Sequence, residues 1–446
     1  MLNETHDPSL RSWITSANEP GSDFPIQSLP FGVFSESGGA AKGRVGVAIG
    51  DRILDVTRCV DEGLIDGSPA ARACAAPALN QLMSLDPAEL SQLRNDLNLL
   101  LREGTTQALR AEKKSDAVLL QMSSASMRLP AQIGDYTDFY ASVHHATNVG
   151  SMFRPDNPLL PNYKYVPIGY HGRASSIVAS GTSVQRPSGQ TKSADADRPS
   201  FGPSRMLDYE AELGFFVGQG NGLGQPISID DAASHIFGFC LVNDWSARDI
   251  QAWEYQPLGP FLAKNFATSV SPWVITAEAA EPYRVAAALR PAGDPEPLPY
   301  LASAEDAARG GIAAFLEVYL VSSRMRDDRV APVRLSRAPF AGMYWTVAQM
   351  LTHHASNGCN LRSGDLLASG TVSGDSPDSR GCLLELTWRG TKPLTLPTGE
   401  ERRFLEDGDQ VIMKAYLEAP GRPRIGLGEC SGTILPAAEG RSDRSS

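Results

Sequence analysis

The stretch "MLDYEAELGFFVG", residues 206–218, sets Asp208, Glu210 and Glu212 at every second position of an apolar run. A strand alternates its side chains, so the three carboxylates would line one face and Leu207, Tyr209, Ala211, Leu213 and Phe215 the other. Two readings are open. The acidic face is the wet side of a half-buried strand, or the carboxylates converge on a hard cation, which prefers oxygen ligands.

Four more stretches concentrate groups that bind anions or move protons. "GDYTDFYASVHHATNVGSMFR" carries Asp138, Tyr140, His144, His145 and Arg154, and "NDWSARDIQAWEYQPLGPFLAKNF" carries Asp244, Arg248, Gln251, Tyr255 and Lys264. "VPIGYHGRASS" contains Tyr170; "LLASGTVSGDSPDSRGCLLEL" puts Thr371 in a Gly/Ser loop and Glu385 inside an apolar run that reads as a strand. A histidine suits general-base work near neutral pH. Each stretch also has a bland reading: Glu385 alternating out to solvent between Leu384 and Leu386, Arg248 paired with Asp249, tyrosines packed as half-buried rings.

The elements that must position these groups are mostly β. From about residue 130 onward apolar runs are short, Gly and Pro are frequent and helical periods are scarce, which predicts a β-rich domain with long irregular connections. Before it, "RVGVAIGDRILDV" predicts a hairpin about Gly50-Asp51. In "DPAELSQLRNDLNLLLREG", Asp86 can cap, Pro87 suits the first turn, Leu90, Leu93, Leu97, Leu100 and Leu101 form a stripe, and Gly104 can end a helix. Residues 1–22 and 437–446 are polar and read as disordered ends.

At 446 residues, 42% hydrophobic and with a net charge of -11, the chain can bury a large core and offers no basic surface for nucleic acid. Its opening residues read as neither a signal peptide nor a membrane anchor, and no later run reaches the ~20 apolar residues of a spanning helix. Six scattered cysteines without a CxxC fit reduced packing thiols and a cytoplasmic protein. No Cys/His spacing suggests structural zinc.

Taken together, "GDYTDFY", "HATNVG", "GYHGRASS", "NDWSARDIQ", "PLGPF", "NGCNLR", "GDLLASGT" and "LLEL" resemble the fumarylacetoacetase (fumarylacetoacetate hydrolase) family. The resemblance runs from about residue 22 to 436. It implies a mainly β (α+β) fold: an N-terminal SH3-like β barrel with a helical segment over 23–129, then a β-roll catalytic domain over 130–436, paired as a homodimer. It also implies metal-dependent hydrolysis of a carbon–carbon bond of 4-fumarylacetoacetate to fumarate and acetoacetate, the last step of tyrosine and phenylalanine catabolism.

The same resemblance distributes roles. Asp138, Glu210, Glu212 and Asp244 correspond to carboxylates that hold calcium or magnesium (Ca2+, Mg2+), with Lys264 and Thr268 associated with the magnesium site; Lys264, an ammonium, belongs behind the ligands. Asp208 is not among the ligands. His145, immediately before "ATN", matches the base and Glu385 its partner carboxylate, while His144 has no catalytic counterpart. Arg248, Gln251 and Lys264 match the donors to the developing oxyanion. Tyr140, Arg154, Tyr170, Gln251, Tyr255 and Thr371 match substrate contacts. Ala267 stands where the family commonly has Gly, a change that matters only if the backbone there takes a positive φ. A related acylpyruvate or other 1,3-diketo acid is the alternative substrate, and a non-catalytic ligand-binding relative the alternative class; the presence of His145, Glu385 and every acidic ligand counts against the latter.

Overall fold

The structure, a computed structural model, describes residues 2–36 and 42–438. The elements that build and position the site are spread along the whole chain. They are β1 (Phe31–Glu36), β2 (Arg44–Ile49), β3 (Arg52–Asp55), α1 (Pro87–Leu101), β4 (Tyr136–Phe139), α2 (Val143–Phe153) and β5 (Gly169–Gly172). There follow β6 (Ala211–Val217), β7 (Ile236–Asp244), α3 (Arg248–Glu254), β8 (Thr268–Val270), β9 (Trp273–Thr276), β10 (Ala314–Val321), β11 (Val333–Pro339), β12 (Leu366–Ala368), α4 (Leu383–Leu386), β13 (Gln410–Leu417) and β14 (Ile425–Leu435).

The fold is mixed α+β and mainly sheet. One large sheet runs β3-β2-β1-β9-β7-β6-β12-β4-β5, and a second runs β11-β10-β13-β14. The first joins the N-terminal hairpins to the strands of the site, because Phe31 and Gly32 pair antiparallel with Val274 and Trp273. Behind it, one continuous apolar core includes Leu213, Phe215, Leu241, Trp245, Leu316 and Met413 and is shared by both sheets. Among the described residues no helix is long and apolar enough to cross a membrane.

The hairpin forms as its residues require, with Ile49 opposite Arg52 and Gly50 at φ +56°. Helix α1 starts at Pro87 with the Asp86 side chain accepting from Ala88 N, and buries Leu93, Leu97, Leu100 and Leu101.

Three expectations are corrected. Residues 2–22 are packed, not loose: Arg94 of α1, itself buried, donates to Thr5 Oγ1, and Trp13 Nε1 and Ser12 Oγ donate to the carbonyls of Leu100 and Leu101 at the helix end. Orphan carbonyls at a helix terminus need partners, and this polar segment supplies them. The 206–218 run is not one strand: Leu207 and Asp208 pair with Ala247 and Ser246, the chain breaks at Tyr209-Glu210, and β6 begins at Ala211. It has no wet face, for every residue from Leu207 to Gly218 is buried. Glu385 sits in the short helix α4, not in a strand, and is fully buried. The expected disordered tail lies, from residue 439 onward, outside the described residues.

Candidate active site

Strand register assembles the acidic cluster. Asp138 on β4 stands beside Ala368 of β12 and Tyr170 of β5, and Asp244, the last residue of β7, stands opposite Thr268 of β8. Glu212 is the second residue of β6, and Glu210 lies in the break before it. One carboxylate oxygen from each of Asp138, Glu210, Glu212 and Asp244 falls within 4.8 Å of the others, and all four residues are buried. Glu210, in that break, thus joins neighbours carried on three strands.

So much negative charge is incompletely neutralised by the protein itself. Lys264 Nζ contacts Glu210 and lies 2.8 Å from Asp244, and Arg248 Nη1 lies 2.8 Å from Glu210. Burial would raise the Glu210 carboxyl, but Lys264 and Arg248 outweigh it and hold it below the usual range. Lys264 is in turn held charged against its own burial by Asp244 and Glu210. Among the described residues Asp138 and Glu212 have no such ion pair. Burial, then the neighbouring carboxylates, drive both well above the ordinary range, and one oxygen of each, Asp138 Oδ1 and Glu212 Oε1, is buried without a hydrogen bond. Hard oxygen donors, buried, crowded and unpaired, suit a hard divalent cation.

The second constellation stands across the same cavity. His145 Nδ1 lies 2.6 Å from Glu385 Oε2; a carboxylate only accepts, so Nδ1 carries the hydrogen, and in the neutral imidazole this tautomer leaves the lone pair on Nε2. His145 sits at the start of α2, its backbone N–H capped by Ser142 Oγ at 3.2 Å. Glu385 is held from every side: Asn148 Nδ2 and Ser373 Oγ donate at 2.8 Å each, and Cys382 Sγ lies 3.2 Å away. Burial opposes its ionisation, but His145 and these donors win and bring the carboxyl down to about 2.

Asp208 connects the two constellations. It accepts from Arg248 Nε at 2.9 Å and from the backbone N–H groups of Leu383 and Leu384 at 2.8 and 3.0 Å, so it fixes both the guanidinium and the start of α4. Arg248 therefore pairs with Asp208 and Glu210, while Asp249 accepts from Ser204 and from Arg205 N.

A cavity of about 500 Å³ joins these groups; Asp138, Tyr140, His145, Glu210, Arg248, Lys264 and Thr371 line it. Arg248 Nη2 and Thr371 Oγ1 are buried there without partners. Gln251 lines it too, with Oε1 accepting from Arg248 Nη1 at 3.2 Å. Arg154, Tyr255 and Arg389 are exposed at its mouth. Tyr170 reaches the cavity, but its hydroxyl donates to Asp244 Oδ2 at 2.9 Å. Glu212, Asp244, Thr268 and Glu385 stand behind the lining, and Thr268 Oγ1 donates to Asp244 Oδ1 at 2.9 Å. His144 is half-buried beside His145. Among the described non-glycine residues only Leu29, Arg329, Trp388 and Arg389 take a positive φ, so the alanine at 267 meets no backbone objection.

Residue types did not announce Ser373, Cys382 or the double role of Asp208. Asn148 alone carried a signal, since it lies three residues after His145 and faces the same side of a helix. The cysteines were expected as packing; Cys382 is instead part of the Glu385 cradle.

Residues 27–130 match the family model described as fumarylacetoacetase N-terminal, and residues 135–435 the one described as fumarylacetoacetate (FAA) hydrolase C-terminal. The chain is 48% identical to the fumarylacetoacetase of Bos taurus, over 93% of this chain and 97% of that one. It is 50% identical to that of Caenorhabditis elegans at the same coverage, and 47% identical to that of Arabidopsis thaliana, over 96% of this chain and 99% of that one. Among solved structures, a fumarylacetoacetate hydrolase from psychrophilic Exiguobacterium antarcticum superposes with a TM-score of 0.50 at 16% identity, covering 92% of this chain and all of that one, a likeness of fold.

Proposed function

The chain belongs to the fumarylacetoacetate hydrolase family, and on that premise we propose how its own residues hydrolyse fumarylacetoacetate to fumarate and acetoacetate, the closing step of tyrosine and phenylalanine breakdown. The observation that carries the reading is the buried His145–Glu385 pair facing, across one cavity, a cluster of carboxylates with unpaired oxygens.

The products locate the reacting carbonyl. Fumarate gains the oxygen of water, so attack falls on the fumaryl-side carbonyl, and the bond that breaks releases its electron pair to the acetoacetate carbon. His145 Nε2 removes a proton from the attacking water as its oxygen bonds to that carbon. Glu385, held ionised, keeps the imidazole in the needed tautomer and stabilises the imidazolium that forms. The attacked oxygen becomes negative and meets the free Nη2 of Arg248, with Gln251 Nε2 and Lys264 adding donors. Collapse breaks the carbon–carbon bond, and the His145 proton passes to the leaving carbanion. Tyr140, Tyr170, Tyr255, Arg154 and Thr371 orient the substrate, Thr371 with a hydroxyl that has no protein partner.

Asp138, Glu210, Glu212 and Asp244 would hold a calcium or magnesium ion, with Lys264 and Thr268 behind them through Asp244. When bound, such an ion supplies Lewis-acid stabilisation of enolate charge and orients the diketone. The test is loss of the substrate's enol absorbance with the wild-type chain against His145→Ala.

The finer architecture belongs to the same proposal. An N-terminal SH3-like barrel over 23–129 and a β-roll over 130–436 are supported by the hairpin meander of β1 to β3 and by the near-coincident limits of the two family matches. Homodimerisation through the catalytic unit is supported by the exposed apolar loop after α3, where Leu258 is 97% and Phe261 67% exposed. The composition supports a cytoplasmic setting.

A further inference from the structure

We propose that Arg389 is a specificity-determining residue that holds the distal carboxylate of the fumaryl arm, an inference that rests on the hydrolase reading. Arg389 follows α4 directly: Trp388 N donates to Glu385 O and Arg389 N to Leu384 O, so the turn that places the partner of the base also sets this guanidinium at the cavity mouth. Both Trp388 and Arg389 take left-handed backbone conformations, φ +47° and +57°, which side-chain-bearing residues rarely adopt; such outliers persist where their surroundings enforce them. The guanidinium lies 4.7 Å from the centre of the Phe153 ring, and no carboxylate of the described residues pairs with it.

Phe153 fixes the scale. It ends the helix that carries His145 in its first turn, eight residues on, or about 12 Å along the axis. Arg154 follows it, also at the mouth, its guanidinium donating among the described residues only to Pro158 O at 3.2 Å. The base thus lies at the buried floor and two uncompensated cations at the rim, with the apolar Val149 and Phe153 lining the cavity between. The substrate matches this in charge order. Its attacked carbonyl is joined to the far carboxylate by a rigid trans double bond, which holds that carboxylate away from the reacting centre and toward the rim. A guanidinium is the group whose geometry accepts a carboxylate in two parallel hydrogen bonds. Stacking on Phe153 orients it beforehand.

The test uses the full metal-loaded chain and Arg389→Gln, with Arg389→Lys as the charge-retaining variant and thermal melting as the folding control. Fumarate has the distal carboxylate and acetoacetate does not, so calorimetric titration of each reads the contact without turnover. Arg389→Gln is expected to weaken fumarate binding and raise KM for fumarylacetoacetate by about five- to tenfold, with kcat, the acetoacetate affinity and the melting temperature unchanged. Arg389→Lys is expected to fall between. Equal loss for both products, or no loss for fumarate, overturns the assignment. A wild type that binds fumarate but does not cleave the substrate overturns the hydrolase reading instead, and leaves the titration to decide the role of Arg389.

Discussion

His145 Nδ1 and Glu385 Oε2 lie 2.6 Å apart although 240 residues separate them in the chain. A carboxylate in that position is useful only while ionised, and Asn148, Ser373 and Cys382 surround Glu385 to keep it so. Removing the base by His145→Ala is expected to lower kcat by about 10²- to 10⁴-fold, and Glu385→Gln to lower it by a smaller factor, with little change in KM for either. Steady-state kinetics at saturating metal checks both.

The same carboxylate makes a prediction about acid. Its folded value of about 2 lies below the ordinary 4.5, so its contribution is complete above pH 4.5 and is lost as pH falls toward 2. The full contribution is about 3 kcal/mol, of which about 1 to 2 kcal/mol is lost between pH 6 and pH 3.5. Urea unfolding of the wild type and of Glu385→Gln at both pH values should show the gap between them narrowing by that amount. A gap independent of pH contradicts the assignment.

In the metal-free protein, charge on Asp138 and Glu212 is opposed first by burial and then by the adjacent carboxylates. Asp138→Asn and Glu212→Gln are therefore expected to leave the metal-free protein as stable as the wild type or more so, while abolishing the rise in Tm on adding calcium or magnesium. For the wild type at a hundredfold excess over Kd that rise corresponds to about 2.7 kcal/mol. Differential scanning calorimetry with and without each ion separates the two effects.

Asp208 neither binds the cation nor moves a proton in this account, yet Asp208→Ala is expected to destabilise the fold by about 3–5 kcal/mol. It leaves the buried Arg248 half-unpaired and strips the acceptor from the Leu383 and Leu384 N–H groups. Asp208→Asn, which keeps an acceptor, should cost less. Denaturant melts of the two variants test the order.

Much of this was legible in residue order because its signals are local. Helix α1 and the β2–β3 hairpin follow from capping, stripe and turn chemistry that need no distant partner. The acidic cluster was readable as a question from the spacing of Glu210 and Glu212, but its answer required Asp138 and Asp244 on other strands. The break at Tyr209-Glu210 and the burial of both faces of this run were not readable, because alternation looks the same in a half-exposed strand and in one covered on both sides. Glu385 was misplaced for the same reason: four residues of helix leave no period to detect, and the cap that stabilises them comes from Asp208, 175 residues upstream. The packed N-terminal segment escaped because its partners are backbone carbonyls, which residue type does not reveal.

One base and one metal-binding carboxylate cluster are expected to act on one substrate in one cavity. The most direct measurement follows the enol absorbance of fumarylacetoacetate with the purified chain, before and after a chelator, with metal restored, and with His145→Ala. Cleavage to fumarate and acetoacetate that is lost on chelation, returns with calcium or magnesium, and falls by about 10²- to 10⁴-fold in His145→Ala is the predicted result. Cleavage that persists through chelation, or in His145→Ala at the wild-type rate, would contradict it.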